Sequence, residues 1–131
     1  MEKYRPRVIL SAAISLDGKI ATRTGDSKLS SQRDKIRVHK LRSKFDAILV
    51  GKNTLEIDDP LLTARGVKGK NPVRVILDSR ATIHKNSKIL RSCSKIPTII
   101  VISKMAKKKN LEKLKKFPVM VKVCGKNKII I

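Results

Sequence analysis

The sequence predicts an α/β domain built on a largely parallel sheet. Three observations carry that expectation. Short apolar runs, Arg7–Ile14 (RVILSAAI), Asp46–Val50 (DAILV), Val73–Leu77 (VRVIL), Thr98–Ile102 (TIIVI) and Val119–Val123 (VMVKV), recur along the chain. Helical patterns or long connections separate them, as parallel pairing requires. The runs are apolar along most of their length rather than alternating, which suits strands covered on both faces.

Each element has a local reason. Arg7–Ile14 is long enough for a buried first strand, and Ser15–Lys19 (SLDGK) breaks it with an Asp-Gly turn signal. Ser31, with Asp34 three residues on, forms a capping-box pattern at the start of a helix whose apolar face is Ile36, Leu41 and Phe45. Asp46–Val50 is the second strand, closed by Gly51. A short helical turn, Asn53–Ile57, stops before Asp59-Pro60, because a residue preceding proline avoids the helical region. Gly66–Asn71 is a loop ahead of the third strand. Met105–Phe117 is a Lys-rich helix with Leu111 and Leu114 facing inward.

The chain has 131 residues and a formal charge of +22. That length suits one domain, residues 1–131. Apolar residues make up 40%, which separates the chain from disordered polybasic tails. No apolar run approaches the roughly 18–20 residues that cross a bilayer, and the first residues lack a signal-peptide pattern. Cys93 and Cys124 lie far apart with no CxxC spacing or histidine partner. A reduced, cytoplasmic protein without a structural metal is expected. The charge is lopsided. Residues 1–66 carry 14 basic and 8 acidic groups, residues 67–131 carry 18 and 2. That half invites an alternative reading, a basic module on RNA or another polyanion. Three aromatic residues, Tyr4, Phe45 and Phe117, leave little for base stacking.

In open α/β sheets, ligands bind beyond the carboxyl ends of the strands. Polar clusters fall there: Ser15–Lys19, then Gly51–Thr54 with Asp58-Asp59-Pro60, then Asp78-Ser79-Arg80, then Ser103-Lys104. A glycine followed by a helix start with a threonine favours an anion through free amides and the helix dipole. The Walker spacing, a GxSxG elbow and a GxGxxG fingerprint are all missing. His39, in a basic helix, reads as a surface residue. His39 and His84 have no helical metal partner at i+4.

Taken in order, the strings AISLDGKIATRTGDSKLSS, IRVHKLRSKFDAILVGKNTLEIDDPLLTAR and NPVRVILDSR closely resemble the riboflavin-biosynthesis reductases. These are the free-standing archaeal and fungal enzymes and the reductase domain of bacterial deaminase-reductases. The resemblance runs from about Val8 to Gly125. It implies a dihydrofolate-reductase-like three-layer fold. It also implies NADPH-dependent reduction of the ribosyl group of a 5-phosphoribosylamino-pyrimidine to a ribityl chain. Thr54, Asp58 and Ser79 match cofactor-binding positions, and Arg80 could pair with a 2′-phosphate. Ser27, Arg42, Leu62 and Arg65 match substrate-binding positions, and the resemblance implies that the two arginines meet the 5′-phosphate. Asp17 is the catalytic candidate, set against a plain Asp-Gly turn. Leu29 sits where bacterial members often have tryptophan. Ser11 replaces their lysine and resembles the archaeal and fungal type, which acts on the diaminopyrimidine. The family is dimeric and continues past the equivalent of Ile131 with a Glu-Gly-Gly turn. The chain therefore reads as the N-terminal portion of such a reductase, and its charge as higher than the whole enzyme's.

Overall fold

The computed structural model describes residues 5–26 and 28–130. Helix α1 spans Gln32–Lys44, strand β1 Ala47–Gly51, and helix α2 Lys52–Asp58. Strand β2 is Val73–Leu77, helix α3 Lys88–Arg91, and strand β3 Thr98–Ile102. Helix α4, Lys108–Leu114, and strand β4, Met120–Val123, complete the order.

All strand pairs are parallel, and the sheet order is β1-β2-β3-β4, so each strand pairs with the next in the chain. The register puts Ile48 beside Arg74, Val50 beside Ile76, and Ile76 beside Ile100, which in turn meets Val121. These residues share one sheet face because side chains alternate along a strand. That face is the core. Ile76 and Ile100 are fully buried, and Leu55 of α2, Ile89 and Leu90 of α3 and Leu114 of α4 pack with them. The four-residue helix α3 has no signal in the sequence beyond Ser87, whose hydroxyl accepts from the Leu90 amide.

The opposite face departs from the expectation of full cover. Val75 and Ile99 are only half-buried there, while Leu49 and Met120 are exposed. The first expected strand is also corrected. Arg7–Ile14 makes no strand, and Val8, Leu10 and Ile14 are exposed. An apolar run supplies β propensity, but a strand also needs a sheet edge to exchange backbone hydrogen bonds with. No such pairing exists for this segment among the described residues. The helix expected over Met105–Phe117 is shorter, beginning at Lys108 and ending at Leu114.

Arg74 is the largest side chain with no exposure. Its Nε and Nη2 donate to Thr98 Oγ1 at 3.0 and 2.8 Å. Nη2 also reaches the carbonyls of Ile89 and Ile96, at 3.0 and 3.3 Å. Nη1 donates to Ser92 Oγ at 2.8 Å and to the Leu61 carbonyl at 3.3 Å. Burial pushes the guanidinium below the usual arginine range, an effect the nearby Cys93 opposes. This one residue ties β2 to β3, to α3 and to the segment after α2.

Candidate functional site

The structure builds two polar regions, one at the carboxyl ends of β1 and β2 and one between the end of α1 and the segment after α2. The first is an open cavity of about 380 Å³ lined by Gly51, Lys52, Asn53, Leu77, Asp78, Ser79, Arg80 and Thr82. It lies where β1 and β2 end, the position at which parallel sheets take ligands. Asp78 shapes its floor rather than offering a free charge. It is buried, its Oδ2 accepts the Ile83 amide at 2.7 Å, and its backbone carbonyl accepts from Ala81. The Ser79 carbonyl is held by the amide and hydroxyl of Ser103, at 3.0 and 2.9 Å. Asn110 Nδ2 donates to the Arg80 carbonyl at 3.0 Å. These bonds fix the 79–80 backbone and leave the Arg80 side chain exposed.

Thr54 and Asp58 stand four residues apart on α2, so both project from one helix face. Both are exposed, and neither is in the wall of the cavity. Asp59, just past the helix, adopts a left-handed backbone with φ 39°. Its Oδ1 accepts the Lys88 amide at 2.9 Å and so tethers the start of α3. The acidic pair thus divides: Asp58 ends the helix and Asp59 serves the fold.

The second region joins the end of α1 to the segment after α2. Arg42 Nη1 donates to the Thr63 carbonyl at 3.3 Å. Arg42 Nε and Thr63 Oγ1 are buried and without hydrogen-bond partners. Burial lowers the affinity of Arg42 for its proton, and the positive charge of Arg65 lowers it further. Two cations therefore stand near one another, and neither forms an ion pair among the described residues. Leu62 is buried with φ 55°, a backbone state that costs a non-glycine residue about 1–2 kcal/mol. The surrounding structure pins this segment. The Ala64 amide donates to Asn71 Oδ1 at 3.0 Å. Gly69, with φ 131°, lets the following loop touch α1, since a β-carbon there would stand 2.8 Å from Ser43 Cβ.

His39 belongs to this region, which corrects its reading as a surface residue. It is half-buried, its Nδ1 lies 2.9 Å from the Thr63 carbonyl, and the Arg65 amide donates to the same nitrogen at 3.2 Å. The sequence offered one hint, that His39 and Arg42 are three apart on a helix and share a face.

Asp17 lies apart from both regions. It is exposed and accepts from the Ser15 hydroxyl within a turn closed by Gly18 at φ 78°. The Gly18 amide bonds the Ser15 carbonyl at 3.0 Å. Its geometry is that of an Asp-Gly turn. Ser27 lies outside the described residues. No group of three or more metal-ligating side chains occurs among the described residues, and none of their helices is long and apolar enough to cross a membrane. Cys93 and Cys124 are free thiols.

Comparison with known proteins identifies relatives of the chain. The family model for the RibD C-terminal domain matches residues 6–129. A 2,5-diamino-6-ribosylamino-4(3H)-pyrimidinone 5′-phosphate reductase of Methanothermobacter thermautotrophicus is 47% identical over 115 residues, 86% of this chain and 52% of that protein. A protein of the same description from Aquifex aeolicus is 40% identical over 126 residues, 92% of this chain and 56% of that protein. The crystal structure of a diaminohydroxyphosphoribosylaminopyrimidine deaminase/5-amino-6-(5-phosphoribosylamino)uracil reductase from Thermotoga maritima superposes with a TM-score of 0.64 at 30% identity. It covers 87% of this chain and 37% of that one. The chain spans about half the length of the curated relatives it matches. Its sheet is the α/β fold of those reductases, and the chain belongs to the RibD C-terminal domain family.

Proposed function

We propose that this chain contributes to a reductase of riboflavin biosynthesis that converts the ribosyl group of a phosphoribosylamino-pyrimidine to its ribityl form. The observation that carries the reading is the Arg42–Arg65 pair, with a buried Arg42 Nε that has no partner. Two uncompensated cations beside an orphaned donor suit a phosphate, whose oxygens would satisfy the donor and relieve the mutual repulsion. Family membership supports the same reading and gives no support to the polyanion-binding alternative. The lysines of α4 are mostly exposed and fit a solvated helix face.

For the cofactor we propose NADPH, which supplies the hydride when bound. The residues of the first cavity fit such a group. The Arg80 cation and the Asn53 and Ser79 polar groups are chemically suited to an anionic dinucleotide, with Lys52, paired to Glu56 at 2.8 Å, beside them. Thr54 and Asp58, on α2 outside the cavity wall, are the further proposed hydroxyl and carboxylate partners. In the second region Arg42 and Arg65 hold the sugar phosphate and Leu62 lies against the substrate; the Ser27 assignment rests on the family resemblance alone. This spends remote binding energy on orienting the sugar carbon. The diamino-pyrimidine is the favoured substrate, since the M. thermautotrophicus and A. aeolicus relatives carry that name and Ser11 stands where bacterial members have lysine. A cytoplasmic homodimer is the proposed setting. Asp17 remains the catalytic candidate of the family resemblance, with its carboxylate bonded within its own turn.

The test is steady-state kinetics with NADPH and 2,5-diamino-6-ribosylamino-4(3H)-pyrimidinone 5′-phosphate, following loss of NADPH absorbance. Arg42→Ala is expected to raise the KM for the pyrimidine phosphate by about 10- to 100-fold, as a lost charged hydrogen bond costs about 1.5–3 kcal/mol. The KM for NADPH should stay near its original value. A rise confined to NADPH would reject the phosphate-anchor role.

A further inference from the structure

His39 has no role in the reading above, yet it makes the closest contact with the arginine-bearing segment. Its Nδ1 sits between two backbone groups of opposite kind, the Thr63 carbonyl at 2.9 Å and the Arg65 amide at 3.2 Å. One ring nitrogen cannot serve both at once. Unprotonated, it accepts from the Arg65 amide. Protonated, it donates to the Thr63 carbonyl. The Thr63 carbonyl also accepts from Arg42 Nη1. Each state therefore grips the same three-residue stretch that carries Arg65.

We propose that His39 is a positioning residue for the anion site, its Nδ1 clamping the Thr63–Arg65 backbone so that Arg65 is held beside Arg42. The inference rests on the phosphate-anchor reading and adds a residue that touches neither ligand nor reacting atoms. Helix α1 supplies both His39 and Arg42 from one face, so the helix sets the position of one arginine directly and of the other through the ring. The Asn71 bond to Ala64 holds the middle of the same stretch from the opposite side in sequence. A backbone fixed at consecutive residues gives the Arg65 side chain a defined starting point, which lowers the ordering cost of gripping an anion.

The experiment titrates ribose 5-phosphate into the protein by calorimetry and records the Arg65 amide by ¹⁵N–¹H NMR. His39→Ala is expected to weaken binding about 3- to 10-fold, the range for one net hydrogen bond. His39→Asn should stay within about 2-fold of the original, because its side-chain amide can present either an acceptor or a donor near the place of Nδ1. The Arg65 amide resonance should move in His39→Ala. If His39 acts through Arg65, the double variant His39→Ala/Arg65→Ala binds no more weakly than Arg65→Ala. Undiminished binding by His39→Ala, or losses that add in the double variant, would overturn the proposal. Absence of binding by the unaltered protein would sink the phosphate-anchor reading instead. The Arg65 amide then decides alone, and an unmoved resonance in His39→Ala overturns the clamp.

Discussion

Arg74 shows how one residue can carry more than its type suggests. A lone arginine in an apolar strand ordinarily invites a solvent-facing assignment, since arginine is seldom fully buried without a partner. Here no carboxylate neutralises it among its hydrogen-bond partners. Instead Thr98 Oγ1, Ser92 Oγ and three backbone carbonyls satisfy the fork. Removing it strands several buried acceptors together. Arg74→Ala is expected to cost upwards of about 3 kcal/mol in urea denaturation. Arg74→Lys should rescue little of that, because an ammonium lacks the planar fork. Gly69 is the second residue whose substitution has a defined outcome. Gly69→Ala meets both a backbone that side chains rarely adopt and the Ser43 β-carbon. It should lower stability by about 1–3 kcal/mol and weaken ribose 5-phosphate binding, since the loop it seats backs onto α1.

At the scale of the element, α1 is the informative case. Its N-terminus is capped as the capping-box pattern anticipates, with Ser31 Oγ accepting the Asp34 amide at 3.2 Å. The reciprocal half differs. Asp34 turns to Arg37 Nε at 2.7 Å and to Ser30 rather than back to the Ser31 amide. Ser31→Ala is expected to cost about 1 kcal/mol by thermal or urea unfolding. The bond from Arg37, with that from Ser30, holds the Asp34 carboxyl below its ordinary 3.8. A carboxylate depressed in the folded state adds stability above its unfolded value and loses it as pH falls through the folded one. The contribution of Asp34 should therefore be complete near neutrality, begin to fall near about pH 4 and be gone only once pH has passed below the folded-state value. Comparing acid titrations followed by helical circular dichroism in the original and in Asp34→Asn would check this.

The strands divide along a physical line. Val73–Leu77 and Thr98–Ile102 were legible because an apolar run bounded by turn residues, with neighbours on either side, becomes a central strand. Arg7–Ile14 has the same local pattern and no partner among the described residues, and pairing is a property of the whole chain that no window contains. The site was legible in part for a similar reason. Ser79, Arg80 and the Gly51–Asn53 turn meet because parallel strands align their carboxyl ends. The contacts of His39 depend on a loop more than twenty residues away, and locally the sequence showed only that His39 shares a helix face with Arg42.

For the whole molecule, the free edges and the charge act against each other. Among the described residues β1 pairs only with β2, and β1 (Ala-Ile-Leu-Val-Gly) carries no charged side chain. An uncharged edge is a template for another strand. The net charge of +22 opposes that encounter through repulsion, which reaches only about 8 Å at physiological ionic strength. Self-association of the 131-residue chain, followed by sedimentation velocity, should thus increase with salt. Leu49→Lys, at an exposed position in β1, should suppress it. Association that falls with salt would point to charge attraction and away from the strand edge.

The sheet order has a consequence in time. Because β1, β2, β3 and β4 lie side by side in the order in which they are synthesised, each new strand finds its partner already outside the ribosome. Among these four strands no pairing waits for a distant segment, so the entropy of closing each loop is met in small instalments. Growth of the sheet can follow translation strand by strand. The Arg74 fork, which needs β3 and α3 before it is filled, would then mark the moment when the nascent sheet becomes hard to undo.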